Sequence, residues 1–148
     1  MIDTFDGDFA WLSNFYHSPF SDDEFTYPTM EHYFQAAKTL NMEEACDIVA
    51  TSTPGQAKRL GRKVQLRPDW EQIKEQVMLT GVRLKFSQDP VLREKLIATG
   101  DEYLEEGTLW HDNEWGNCRC ANCAHITGRN KLGKILMQVR DELNNGTI

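Results

Sequence analysis

The chain has 148 residues, 40% of them hydrophobic and 26% charged, which suits a single globular domain with its own core and excludes a disordered or fibrous chain. Its net charge of −7, from 23 acidic against 16 basic side chains, opposes a polyanion, so any phosphate has to be met by a local cationic cluster. No stretch approaches the ~18 apolar residues of a membrane span, and the opening MIDTFDGDFAWLSNFY lacks the basic-then-apolar pattern of a secretion signal; a cytoplasmic protein with no membrane partner is expected.

No internal repeat, low-complexity tract or Gly/Ser linker offers a place to divide the sequence, so residues 1–148 are read as one domain. The first 28 residues place Phe5, Phe9, Trp11, Leu12, Phe15, Phe20 and Phe25 between turn formers, a pattern of short extended segments and aromatic plugs rather than helix. Thr29 then predicts the cap of a helix running through MEHYFQAAKTL, and Asn41 with Glu44 three residues on has the capping-box spacing for a second helix ending near Thr51. Thr53-Pro54 opens a short helix that stops at Gly61. Pro68 opens a longer one, with Trp70, Ile73, Val77 and Leu84 near helical spacing, and a further helix runs from about Pro90 to Gly100. Asp101 to Gly128 has turn formers and no periodic apolar face, which predicts loops with one or two short strands. Asn130 is expected to cap a last amphipathic helix carrying Leu132, Ile135, Leu136, Val139 and Leu143 on one side. The fold class that follows is mainly α with minor short β strands.

In the first helix Glu31, Phe34, Gln35 and Lys38 fall at i, i+3, i+4 and i+7, one face, while Met30, Tyr33, Ala37 and Leu40 fall on another that supplies the core contact. Charged residues are mostly exposed, so a solvated face is the default reading of such a stripe. The helix is apolar enough on both sides to be largely buried, however. A buried carboxylate beside a buried amine moves pKa values into the working range of acid–base or Schiff-base chemistry.

Cys118, Cys120 and Cys123 crowd into one short segment, unlike the spread pairs of a secreted disulfide scaffold. With His125 or His111 they offer three soft ligands and a nitrogen, a set from which a structural zinc site can be built.

The strings WLSNFYHSPF, PTMEHYFQAAK, TPGQAKRLGRKVQLRPDWEQIKEQVM followed by LKF, the segment around HDNEWG, and GRNKLGKILMQVR resemble in order the successive motifs of the NADAR, or YbiA-like, family. The resemblance covers nearly the whole chain and implies the single-domain helical fold of that family. It also implies hydrolysis of an N-glycosidic bond, with two substrate types: phosphoribosylamino-pyrimidine intermediates of riboflavin synthesis, and ADP-ribose attached to guanine, either free or on nucleic acid. No metal or organic cofactor is implied. Position by position, the family's pocket residues fall on Asn14, Phe15, Glu31, Gln35, Lys38, Arg59, Trp70, Lys74, Asp112, Trp115 and Gly116. Between Trp115 and Gly128 the stretch NCRCANCAHIT departs from the shorter glycine-rich stretch expected there.

Cleavage of an N-glycoside develops positive charge on ribose C1 and needs a donor for the departing nitrogen. Glu31 is the expected proton shuttle and Lys38 the expected nucleophile. Asp112 is expected either to hold ribose hydroxyls or to form an Asx-turn. Arg59, with Lys58 beside it, is the expected phosphate contact, whereas Arg62 and Lys63 read as surface. Trp70 and Trp115 suit stacking on a flat ring, with core packing the plain alternative for Trp70. Two non-catalytic readings stand beside the hydrolase: a module that holds ADP-ribose or a nucleotide without cleaving it, and a zinc-stabilised interaction protein. A carboxylate and an amine on one stripe favour the enzyme over either.

Overall fold

The computed structural model describes residues 1–148. The chain folds as two compact units, one continuous in sequence over Asn14–Asp89 and one built from Met1–Ser13 together with Pro90–Ile148. No helix is long and apolar enough to cross a membrane.

In the continuous unit, β1 (His17–Ser21) and β2 (Thr26–Thr29) pair antiparallel, Phe20 opposite Tyr27, with an irregularity between His17 and Phe20 where Pro19 interrupts the ladder. Phe20, Tyr27 and Tyr33 form a triangle of rings with centroids 5.0–5.7 Å apart, which fastens the hairpin to α1 (Met30–Ala36). Three helix starts carry the side-chain caps their sequences predict. Thr29 Oγ1 accepts from His32 N, Asn41 Oδ1 from Glu44 N at the head of α2 (Met42–Val49), and Thr53 Oγ1 from Gln56 N at the head of α3 (Pro54–Gly61). The capping box is one-sided, because the Glu44 carboxylate takes Thr39 Oγ1 and Gln65 N instead of reaching back to Asn41 N.

Helix α1 is shorter than its sequence predicts. It ends at Ala36, leaving Lys38 and Leu40 beyond it, and Leu40 is exposed rather than part of the core face. The cause is long-range: Arg67 N donates to the Lys38 carbonyl at 2.8 Å, an acceptor that a continuing helix would have used internally. Helix α4 (Trp70–Gln88) buries Trp70, Met78, Val82, Lys85 and Phe86. The expected stripe of Ile73, Val77 and Leu84 is only half-buried, so the core face is rotated away from it. Sequence reading places a lysine outside, and Lys85 lies inside, 2% exposed.

The discontinuous unit opens with a 3-10 segment, Gly7–Leu12, where extended chain was expected; it sets Trp11 and Leu12 into the core. Ile2 pairs in parallel with Leu104, and Arg119 bridges to Asp3 at 2.9 Å and to Glu105. Helix α5 (Pro90–Ala98) packs with α6 (Lys131–Asn144), whose Leu132, Ile135, Leu136, Val139 and Leu143 are all buried as their spacing predicts. Between them β3 (Gly107–Thr108) and β4 (Asn117–Cys118) form a two-residue parallel pair, and a 3-10 turn covers Ala121–Cys123. Asn130 does not cap α6 with its side chain. It takes the left-handed conformation (φ 50°), accepts from Glu106 N at 3.0 Å and donates to Leu104 O at 2.9 Å, clamping the preceding loop onto the helix start.

Candidate active site

The hairpin delivers the chain into α1 so that Glu31 falls in its first turn, buried at 6% exposure. One turn on, Gln35 Nε2 donates to Glu31 Oε1 at 2.9 Å. An ionised carboxylate only accepts, so this pairing fixes the amide's orientation and leaves Gln35 Oε1 buried without a hydrogen-bond partner. That oxygen lies against Gly61 at the end of α3, where a Cβ would overlap the Gln35 amide. The absence of a side chain at residue 61 is what lets α3 close over the pair.

Lys38 stands just past the helix end. Its Nζ lies 5.9 Å from the centroid of Phe34 and 6.0 Å from that of Trp70. Those rings meet edge-on at 5.0 Å, and Trp70 is 5% exposed, so its visible work is packing and walling the lysine. Burial pulls the Lys38 pKa below the ordinary lysine value. The Glu31 carboxylate opposes that shift, and the cationic Arg62 and Lys58 add to it. Lys38 is thus held in a field that contains one carboxylate and two cations.

The carbonyl of Asn14 accepts from Glu31 N at 2.9 Å, which anchors the segment before β1 to the head of α1. The Asn14 side chain donates to Met78 Sδ at 3.6 Å. Phe15 presents an exposed ring with the Lys58 ammonium 6.0 Å from its centroid. Arg59, expected as the phosphate contact, is exposed on α3; the cations that act on Lys38 are its neighbours one position before and three after. Lys58 and Arg62 are four apart, with Arg62 capping the C-terminal end of α3, and theirs are the cationic charges that reach Lys38. Lys74 is engaged by Glu71 at 2.7 Å on its own helix.

Asp112, Trp115 and Gly116 belong to the discontinuous unit. Asp112 Oδ1 accepts from Glu114 N at 3.1 Å and Trp115 N at 2.9 Å, which forms the Asx-turn, one of its two expected roles. The half-buried Trp115 has the Lys131 ammonium 5.5 Å from its ring centroid, and Lys131 pairs with Glu114 at 2.8 Å. Gly116 is buried where a Cβ would press on the Glu106 carbonyl and the Thr108 methyl. His111 Nδ1 lies 3.3 Å from Cys123 Sγ and 3.4 Å from Cys120 Sγ. Of the two histidines the sequence offers to the cysteines, the structure selects His111, and His125 is exposed.

The model of the NADAR domain family matches residues 3–144. The chain belongs to the NADAR family. It is 41% identical to N-glycosidase YbiA of Escherichia coli over 138 residues, covering 92% of this chain and 82% of that protein. It is also 38% identical over 133 residues to the maize riboflavin biosynthesis protein PYRR, chloroplastic, covering 82% of this chain and 20% of that longer protein. The solved NMR structure of E. coli YbiA superposes with a TM-score of 0.84 at 39% identity, over 99% of this chain and 89% of that one. The mainly helical NADAR fold expected from the sequence is therefore the fold observed. Of the expected stripe, Glu31 and Gln35 meet at helical spacing, whereas Lys38 lies past the end of α1 and is placed by the chain beyond it.

Proposed function

We propose that this NADAR chain, an N-glycosidase, hydrolyses the bond between C1 of a phosphorylated ribose and an amino nitrogen on a base, with Lys38 as nucleophile and Glu31 as proton shuttle. The observation that carries the reading is the buried Glu31–Gln35 pair, with Lys38 one turn on under a lowered pKa. The ribosylamine opens by breaking its C1–O4 bond, which gives an iminium at C1 and an oxyanion at O4. Neutral Lys38 adds to C1 through its lone pair, and the proton its nitrogen loses passes to O4. Protonated Glu31 gives its proton to the base nitrogen, which departs as a free amine and leaves C1 as a lysine iminium. Water then adds to C1 as Glu31 takes its proton, and collapse expels the lysine and yields the sugar aldehyde. Lys58 and Arg62 meet the phosphate, and the exposed ring of Phe15 offers a flat face to the base.

Two substrates fit this chemistry, a ribosylamino-pyrimidine phosphate and an ADP-ribosylated guanine, from which the aminopyrimidine or the guanine departs. The first draws support from the riboflavin-related name of the maize relative. The acidic balance of the chain also favours a small molecule over a nucleic-acid strand. Incubation with each substrate, followed by mass spectrometry of released base and sugar, tests the reading. One of them is cleaved, borohydride added during turnover traps a sugar adduct on the tryptic peptide containing Lys38, and Lys38→Ala loses both signals while its circular dichroism is unchanged. Undiminished cleavage by that variant would refute the nucleophile.

A further inference from the structure

We propose that His111, Cys118, Cys120 and Cys123 form a closed, structural zinc site in the stretch from His111 to Cys123. The ligand atoms, one imidazole nitrogen and three sulfurs, all lie within 4.8 Å of one another. A tetrahedral zinc with three thiolates and one imidazole sets sulfur–sulfur separations near ~3.8 Å and sulfur–nitrogen separations near ~3.6 Å. The two His111 Nδ1 to sulfur distances, 3.3 and 3.4 Å, already match the second figure. Closing the widest separation to the first needs side-chain shifts of only about 1 Å.

Three further observations point the same way. The three cysteines are unbridged, and Cys118 and Cys123 are buried in a loop region where the larger apolar side chains Leu109, Trp110 and Ile126 are exposed. His111 adopts a left-handed backbone, φ 66°, unusual for a residue with a β-carbon, and that conformation accompanies a ring turned onto the sulfurs. His111 N also donates to Cys118 Sγ at 3.3 Å, the amide-to-sulfur contact that stabilises a metal-bound thiolate. Four protein ligands leave no open position, so the ion serves structure rather than chemistry. A two-iron cluster divides its ligands between two metals and needs a wider set than these four atoms span.

The ion would tie the turn after β3, strand β4 and the Ala121–Cys123 turn into one knot. The ligands His111 and Cys118 bracket Asp112, Trp115 and Gly116, so the metal fixes both ends of the loop that carries them.

The test is metal analysis of the full chain, expressed in zinc-supplemented medium and purified with a phosphine reductant and no chelator. The expected result is one zinc per chain. Cobalt exchanged into the site should give the visible bands of tetrahedral cobalt and a near-ultraviolet thiolate charge-transfer band. Of the four thiols in the chain, only the exposed Cys46 should then react promptly with a thiol reagent, the other three becoming reactive once a strong chelator is added. His111→Cys should keep the metal and shift the cobalt bands, whereas Cys120→Ser, at a half-exposed position, should lose the tetrahedral spectrum while α6 and α5 keep their hydrogen-exchange protection. Substoichiometric metal, four promptly reactive thiols in the native chain, or iron in place of zinc would each overturn the proposal.

Discussion

Helix α1 and the loop between Thr108 and Gly128 hold their polar side chains in different ways, and the contrast explains how far each can be read. On α1 the backbone sets the geometry: Glu31 and Gln35 meet because residues four apart share a face, and the 2.9 Å contact between them follows from the helical period. In the loop no period exists. Asp112 is placed by accepting two backbone N–H groups, Asn113 Oδ1 accepts from Cys118 N at 2.9 Å, and Asn117 Oδ1 accepts from Gly128 N at 2.8 Å. There the side chains position the backbone, whereas in the helix the backbone positions the side chains.

That contrast can be broken at several points. The largest effect is expected at Glu31→Gln, which keeps the shape of the helix face but removes the transferable proton. kcat should fall by ~10² to 10⁴, the range of a lost general acid–base, with the urea midpoint little changed; an unaltered kcat would remove the carboxylate from the reaction. Next is Gly61→Ala. Its β-carbon overlaps the Gln35 amide, and such overpacking costs about 1–3 kcal/mol, against which better helix propensity returns up to about 1 kcal/mol. A lower urea midpoint together with reduced kcat is expected, and an unchanged or raised midpoint would show that α3 can step back without disturbing the pair.

In the loop, Asp112→Asn keeps an Oδ1 acceptor and should match the parent's thermal midpoint, while Asp112→Ala should lose about 1 kcal/mol for the unmade turn bonds. If the asparagine variant is as unstable as the alanine one, the turn needs the charge and not only the acceptor.

The smallest expected effect is a slope. His32 is fully buried, its Nε2 donating to the Thr51 carbonyl at 3.1 Å and its Nδ1 hydrogen-bonded with the Thr29 hydroxyl at 2.8 Å. Burial lowers its pKa below 6.5. The unfolded chain therefore binds the proton first as pH falls, and this histidine's contribution to stability is present above about 6.5 and is lost as pH drops through the folded value. Urea midpoints measured from pH 7.5 downward should decline, and His32→Asn should flatten that decline; an equal slope in both would assign it to other groups.

Legibility followed the same division. The caps at Thr29 and Asn41, the helix start at Thr53-Pro54 and the buried face of α6 were all readable, because each depends on residues within a turn or two of one another. What escaped depended on distant partners. The end of α1 is set by Arg67, the burial of Lys85 by the elements packed on α4, and the conformation of Asn130 by Leu104 and Glu106. Among the candidate site residues, the Glu31–Gln35 contact was legible from its spacing, whereas the position of Lys38 past the helix end was not. The choice of His111 over His125 was not, since it turns on the left-handed backbone at residue 111.

The division of the chain into a continuous and a discontinuous unit also orders events during synthesis. Met1–Ser13 leaves the ribosome before Asn14–Asp89, yet the segment it folds with, Pro90–Ile148, leaves after it. While Asn14–Asp89 emerges with all its own partners, the head with Phe5, Trp11 and Leu12 waits without them. A nascent chain stalled near Asp89 would therefore present Asn14–Asp89 with an aromatic segment before it that still lacks its partners, a form exposed to chaperones and to its own copies.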